Sequence, residues 1–264
     1  MNPEIIAIAN QKGGVGKTTT AINLAGALAL DGQEILLVDL DPQGNTTSGL
    51  GFDKANVSPT IYSILLGQNK IHEAIKPTRN EYLDIVCSNT DLIGAEIELV
   101  SIPNREILLK QTLNEICQIY RFIIIDCPPS LGLLTINAVA ASNKVIIPVQ
   151  SEYYALEGLA SFILALNKIK SALNPSFEIE GVVLTMFDSR MSLGNQVKSE
   201  VEKFFKDSFF KTSIPRNVRL AEAPSFGQSI FEYDPASKGA EAYLSLADEF
   251  LSKRGFCFLN GEKP

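Results

Sequence analysis

The chain has 264 residues, 45% of them apolar and 20% charged, and carries a formal net charge of −7 at pH 7. That length and apolar content suit one large α/β core near the upper limit for a single domain, and nothing between the apolar runs resembles a long linker. No apolar run approaches the ~18 residues of a membrane span, and an acidic balance with a pI near 4.9 argues against a body coated for nucleic acid.

The first run, Glu4 to Asn10, is apolar enough for a buried parallel strand over Ile5–Ala9. A chain that opens directly on a strand is expected to have no leader peptide. Residues 10 to 20 then read Asn-Gln-Lys-Gly-Gly-Val-Gly-Lys-Thr-Thr-Thr, and Ile22, Leu24, Ala25, Leu28 and Ala29 keep a helical period from Thr18 onward. Strand, glycine-rich turn and helix in this order make a phosphate-binding loop. Its close glycines let successive N–H groups turn toward phosphate oxygens at a helix N-terminus. The cradle comprises Gly13, Gly14, Val15, Gly16 and Thr19; Lys17 reaches the β- and γ-phosphates and Thr18 offers its hydroxyl to Mg²⁺. Lys12 is a second lysine, placed too early to repeat that role in cis. It is either a solvated loop lysine or a cation offered to a phosphate bound by a second subunit.

Further strands are expected over Ile35–Val38, Leu83–Cys87 and Phe122–Asp126, with helices from Ile61, from Ala95 and over Glu106–Ile119. Asp39 and Asp41 lie two apart in extended chain and so point the same way. Two like charges that close need a cation or solvent between them, or one of them caps the following turn. Asp126 ends an apolar run and precedes Cys-Pro-Pro, so its carboxylate is presented at the sheet edge by a chain that turns away at once. A Walker B aspartate stands there, holding Mg²⁺ directly or through a water. The last strands are expected over Val145–Val149, Val182–Met186 and Phe210–Ile214. Helices are expected from Leu133 and over Leu156–Ser171, Leu193–Lys206 and Ser237–Ser252. This alternation predicts a single-domain α/β P-loop NTPase over residues 1–254, a mostly parallel twisted sheet with helices on both faces, followed by a tail, 255–264, without an assigned role. Asp39, Asp126 and the loop then share the carboxyl edge of the sheet, where open α/β sheets bind ligands. Cys87, Cys117, Cys127 and Cys257 have no CxxC spacing and His72 is the only histidine, so reduced thiols are expected, with no iron–sulfur cluster.

The run Lys12-Gly-Gly-Val-Gly-Lys-Thr-Thr19 resembles the deviant Walker A motif of the ParA/MinD ATPases. Val38-Asp-Leu-Asp-Pro-Gln-Gly-Asn45, Phe122–Pro129, Pro148–Gln150, Glu152–Gly158 and Ile214–Ser225 extend the likeness to the ParA (Soj-type) chromosome and plasmid partition ATPases, over nearly the whole chain up to Gly255. The resemblance implies an ATP-sandwich homodimer in which each Lys12 contacts the other subunit's phosphates, with ATP and Mg²⁺ as cofactors. Turnover is expected to be slow without a partner, because a loose phosphoryl-transfer transition state is stabilised by positioned charge that Lys12 supplies only across the dimer. By the same resemblance Asp41 positions the attacking water and Asp39 supports the metal's hydration shell. Pro215 and Asn217 match positions that contact the base, although Asn217 serves equally well as a helix N-cap. Tyr153 and Tyr154 match a block near the dimer interface or simply pack, and Met186 either touches adenine or ends a core strand.

From Asp188 to Arg219 seven cations stand against four carboxylates, a net +3 that leaves −10 on the rest of the chain. Such a band is often only a solvated face. The resemblance assigns Arg190 and Arg219 to double-stranded DNA binding without sequence preference, with Lys198, Lys203 and Arg216 in the same band. Contacts to the backbone alone predict salt-sensitive binding, and no element for reading bases is evident. Two functions follow: a cytoplasmic, nucleoid-associated DNA-segregation ATPase whose dimer is released when a ParB-type partner stimulates hydrolysis, or a MinD-like membrane-cycling ATPase. The second needs a basic amphipathic C-terminal helix. Here that helix carries Glu241, Asp248 and Glu249 and reaches Lys253 and Arg254 only at its end, so no membrane partner is expected.

Overall fold

A computed structural model describes residues 3–152 and 155–258. Among these residues eight strands form one sheet: β1 (Glu4–Ile8), β2 (Ile35–Asp39), β3 (Ile75–Pro77), β4 (Leu83–Val86), β5 (Phe122–Asp126), β6 (Lys144–Gln150), β7 (Glu178–Phe187) and β8 (Phe209–Pro215). Their spatial order is β3-β4-β2-β5-β1-β6-β7-β8, and every pairing is parallel except β3 with β4. The seven strands expected from the sequence are all present. The eighth, β3, was not foreseen: three residues are too few to show a period. Its Pro77 suits an edge, where a missing N–H costs no ladder bond.

Alternation along the strands sends side chains into two separate cores. Ile6, Ile8, Ile35, Leu37, Phe122 and Ile124 face α1 (Lys17–Leu30) and α12 (Lys238–Ser252). Ala7, Leu36, Val38, Ile123 and Ile125 face the opposite layer, which contains α7 (Leu133–Ala141) and α8 (Ala155–Leu173). Each buried isoleucine contributes about 2 kcal/mol of apolar transfer, and strands buried on both faces read as continuous apolar runs. The fold class is therefore as expected, a single-domain α/β fold with helices on both faces of a mostly parallel sheet.

Two helical expectations are corrected. The segment expected as one helix over Glu106–Ile119 is a short helix, α6 (Leu108–Leu113), with 3₁₀ turns at Arg105–Ile107 and Asn114–Ile116. Asn137 of α7 intervenes: its Oδ1 accepts the Leu109 N–H at 3.1 Å and its Nδ2 donates to Arg105 O at 2.7 Å, groups a continuous helix would have paired within itself. After the short α3 (Ile61–Leu65) and α4 (Ile71–Ala74), the helix expected from Ala95 begins earlier, as α5 (Leu92–Glu98), because Leu92 and Ala95 together supply its buried face. The expected tail is docked where it is described. Phe258 packs on the α1/α12 core, and the Phe256 ring lies 4.8 Å from the Arg121 guanidinium carbon. Among the described residues no helix is long and apolar enough to cross a membrane.

Candidate functional site

The parallel register aligns the carboxyl ends of the central strands. Asp39 of β2 pairs with Asp126 of β5, and Asp126 pairs with Ile8 of β1, after which the chain enters the glycine loop. Gly16 sits immediately before α1 at φ 84, a left-handed conformation that L side chains avoid, and a Cβ there would lie 3.6 Å from the Thr185 side chain. Thr185, in β7, donates its hydroxyl to Val15 O at 2.8 Å and so ties the loop to a strand 170 residues away. Asn10 steadies the entrance, its Nδ2 donating to Pro148 O and its Oδ1 accepting the Lys12 N–H.

Lys17 is buried, and its ammonium donates to Lys12 O at 3.1 Å. Burial pulls its pKa below the usual lysine range while Asp126 opposes the shift. Asp126 is fully buried. Its Oδ2 accepts the hydroxyls of Thr18 at 2.8 Å and Thr46 at 2.7 Å, whereas its Oδ1 has no hydrogen-bond partner. An orphaned buried carboxylate oxygen costs free energy unless something cationic meets it. Burial, then the neighbouring Asp39, pushes the Asp126 carboxyl up to about 7. Asp39 is pushed up to about 6 by burial, although its oxygens accept the Thr47 N–H, the Thr47 hydroxyl and the Asp41 N–H. Those three bonds make Asp39 the anchor of the segment from Asp41 to α2 (Asn45–Gly49). Asp41 is buried as well, its Oδ1 accepting the Gln43 N–H at 2.9 Å. A hard divalent cation fits this donor set: two hydroxyls, a free carboxylate oxygen and the two further buried carboxylates of Asp39 and Asp41.

Lys12 lies outside this knot. Its ammonium meets Glu152 at 2.5 Å, with both side chains about half exposed, so it points away from its own loop's interior and remains accessible to a facing molecule.

Beside the loop is a cavity of about 350 Å³ lined by Thr19, Met186, Ile214, Pro215, Asn217 and Val218, among others. Its size and largely apolar walls suit a flat heteroaromatic ring. Met186 adopts φ 50, a strained conformation for a side chain of this size, and it is both a cavity wall and the penultimate residue of β7. Asn217 also fills two roles: it lines the cavity, and its Oδ1 caps α10 (Val218–Glu222) by accepting the Arg219 N–H at 2.8 Å.

The basic band spans the loop after β7, helix α9 (Ser192–Phe205) and α10. Arg190 is well exposed and pairs with Asp188; Arg219 is half exposed and pairs with Glu222 at 3.0 Å and Asp234 at 3.2 Å. Lys198 lies over the Phe187 ring and Lys203 is exposed on α9. Arg216 departs from the rest, standing at the rim of the cavity. Tyr153 and Tyr154 lie outside the described residues. The sequence reading missed Thr46, Thr47, Thr185 and Glu152. A hydroxyl pair just after the Gly44 turn was a usable signal for the two threonines; Thr185 and Glu152 act only through tertiary contact.

Comparison with known proteins shows the family. A family model described as an AAA domain matches residues 3–179. The chain is 56% identical to the sporulation initiation inhibitor protein Soj of Bacillus subtilis over 93% of its length and 97% of the relative's. It is 53% identical to the chromosome partitioning protein ParA of Myxococcus xanthus over 94% of its length and 88% of the relative's. Among solved structures, cobyrinic acid a,c-diamide synthase from Mycobacterium smegmatis, with bound ATP analogue and magnesium, superposes with a TM-score of 0.84 at 34% identity, covering 99% of this chain and 98% of the other.

Proposed function

The chain belongs to the Soj/ParA family of chromosome-partitioning proteins, and we propose that it is a DNA-segregation ATPase whose ATP-bound homodimer holds double-stranded DNA without sequence preference until a ParB-type partner stimulates hydrolysis. The observation that carries the nucleotide chemistry is the cluster of Asp126, with its orphaned oxygen, against Thr18 at the mouth of a glycine loop. Mg²⁺ held by Thr18 and Asp126, and steadied through Asp39, supplies charge neutralisation on the phosphates when bound. Lys17 and the N–H groups of residues 13 to 19 orient the phosphate chain. Asp41 orients the attacking water, and Pro215 and Asn217 bound the base.

Lys12 of the facing subunit completes the site. Its exposed position beside Glu152 leaves it free to exchange a surface ion pair, worth at most ~1 kcal/mol, for a phosphate. Transition-state charge is then fully met only in the dimer, which makes hydrolysis slow in isolation and couples assembly to the γ-phosphate. The exposed Arg190, Arg219 and Lys203, with the half-buried Lys198, form the DNA face, Arg216 stands apart from them at the cavity rim, and a dimer doubles the face. This reading places the protein in the cytoplasm on the nucleoid. The membrane-cycling alternative has less support, because the cations just beyond α12 are engaged by the protein itself: the Lys253 ammonium lies over the Phe210 ring, and Arg254 pairs with Glu4 and Glu180.

The test is binding of the purified protein to random-sequence duplex DNA at low salt, with ATP, with ADP and without nucleotide, beside an Arg219→Glu variant. Binding that requires ATP, weakens steeply with salt and is lost in the variant is the expected result. No binding under any condition overturns the DNA reading.

A further inference from the structure

Two hydroxyls share one oxygen of Asp126. Thr18, at the start of α1, reaches Oδ2 at 2.8 Å, and Thr46, in the first turn of α2, reaches the same atom at 2.7 Å. The first belongs to the phosphate loop. The second comes from a segment 80 residues away in the chain, and nothing in the function proposed above employs it. A hydroxyl at a helix start ordinarily stays with its own helix. Ser237 accepts the Ala240 N–H at 3.2 Å before α12, Ser229 sits in a capping box before α11 (Ile230–Tyr233), and Ser48 of α2 itself donates back to Gly44 O at 3.1 Å. Thr46 does none of these: it is fully buried, and its hydroxyl leaves the helix to meet Asp126. Its neighbour Thr47 holds the other acid, the N–H and hydroxyl donating to Asp39 Oδ2 at 2.8 and 2.7 Å. Thr47, together with Ser88, whose Oγ donates to Asp41 O at 2.8 Å, ties down the segment from Asp41. That leaves Thr46 a separate task at Asp126.

A carboxylate that takes two donors from different segments on one oxygen is held against rotation, with its other oxygen presented. In Asp126 that other atom is Oδ1, buried and without a partner. We propose that Thr46 is a positioning residue for the divalent cation: by holding Oδ2 together with Thr18, it fixes the Asp126 carboxylate in the orientation that leaves Oδ1 to the metal. The inference rests on the nucleotide reading above, in which Thr18 and Asp126 hold Mg²⁺. Thr46 acts through Asp126. With Thr18 as the only donor the carboxylate could turn about a single hydrogen bond, whereas a second hydroxyl anchored in α2 removes that freedom. A β-branched side chain, with few χ1 rotamers, suits such an anchor. Groups that orient a metal ligand in this way are worth about ten- to a hundredfold in metal affinity.

The experiment follows the melting temperature of the protein with saturating ADP as MgCl₂ is raised from an EDTA-treated start, so that neither turnover nor assembly enters the readout. Thr46→Val keeps the shape of the side chain and removes the hydroxyl, and its Mg²⁺ midpoint is expected to lie about ten- to a hundredfold above that of the wild type. Thr46→Ser retains the donor and is expected to stay within about threefold of the wild type. Thr46→Ala removes the same donor with a different loss of packing and displaces the midpoint in the same direction, which keeps the test decisive where Thr46→Val folds poorly. Ser142→Ala, which removes a buried hydroxyl bonded to Ala138 O at 2.7 Å, controls for lost stability: it lowers the whole melting curve and leaves the midpoint in place. Midpoints for Thr46→Val and Thr46→Ala within about twofold of the wild type, or a Thr46→Ser midpoint displaced as far as theirs, overturn the positioning role while the nucleotide reading stands. A wild type whose melting temperature does not respond to Mg²⁺ in the presence of ADP overturns both.

Discussion

At Asp126 a single buried carboxylate carries opposing demands. Folding places it beside Asp39 with one oxygen unpartnered, a cost that a metal held there as proposed would relieve. The pH dependence follows with a definite sign. An unfolded aspartate titrates near 4, and in the folded chain Asp126 and Asp39 hold protons up to about 7 and about 6. The folded state therefore binds more protons between those limits, and this contribution to stability, complete below pH 4, is lost as the pH rises through 7. The melting temperature of nucleotide-free protein is expected to fall across that window. Asp126→Asn should flatten the fall and raise the melting temperature at pH 8 by about 2–4 °C, while lowering ATP turnover at least about a hundredfold. Calorimetry across pH and a phosphate-release assay check both halves. A variant less stable than the wild type at pH 8 contradicts the idea that the charge is uncompensated.

Among elements, β7 does more than extend the sheet. It delivers Thr185 to the loop carbonyl of Val15, places Met186 in a strained conformation at the cavity wall, and leads into the loop that carries Arg190. Thr185→Val keeps the shape of the side chain and removes its one donor, leaving a buried carbonyl unpaired. We expect a loss of about 1 kcal/mol in stability and a nucleotide Kd raised about three- to tenfold, measured by denaturant melts and titration with a fluorescent ATP analogue. An unchanged Kd shows that the glycine loop keeps its form without β7. The chain order of the strands was readable beforehand from their apolar runs, and α1 from its period. The break in the Glu106–Ile119 helix was not, because Asn137 produces it from 28 residues away in sequence.

For the whole molecule, the proposed function divides the chemistry between two lysines, the exposed Lys12 for assembly and the buried Lys17 for nucleotide binding. In the presence of ATP, Asp41→Ala is expected to accumulate a species of twice the 28.8 kDa chain mass, because water is no longer oriented for attack. Adding Lys12→Ala should return it to the single-chain mass while nucleotide binding changes less than about threefold. Sedimentation velocity and nucleotide titration read these outcomes. A double variant that still dimerises with ATP removes Lys12 from the interface. If the chain holds DNA as proposed, the net charge of −7 for the chain against +3 in the segment from Asp188 to Arg219 would confine it to one face.

Much of the protein was determined by sequence alone because the decisive signals are local. Glycines that must reach left-handed φ, a lysine and a threonine opening a helix, and an aspartate ending a strand before Pro-Pro each impose their geometry over a few bonds. Buried parallel strands declare themselves as apolar runs for the same reason. What tertiary structure alone decided are the pairings between distant segments: Thr46 and Thr18 on one oxygen of Asp126, Thr185 on the loop, Glu152 on Lys12, and Asp234 on Arg219. Such contacts depend on the register of the sheet and on where helices cross it, and they form only once two hydrophobic cores have closed on either side.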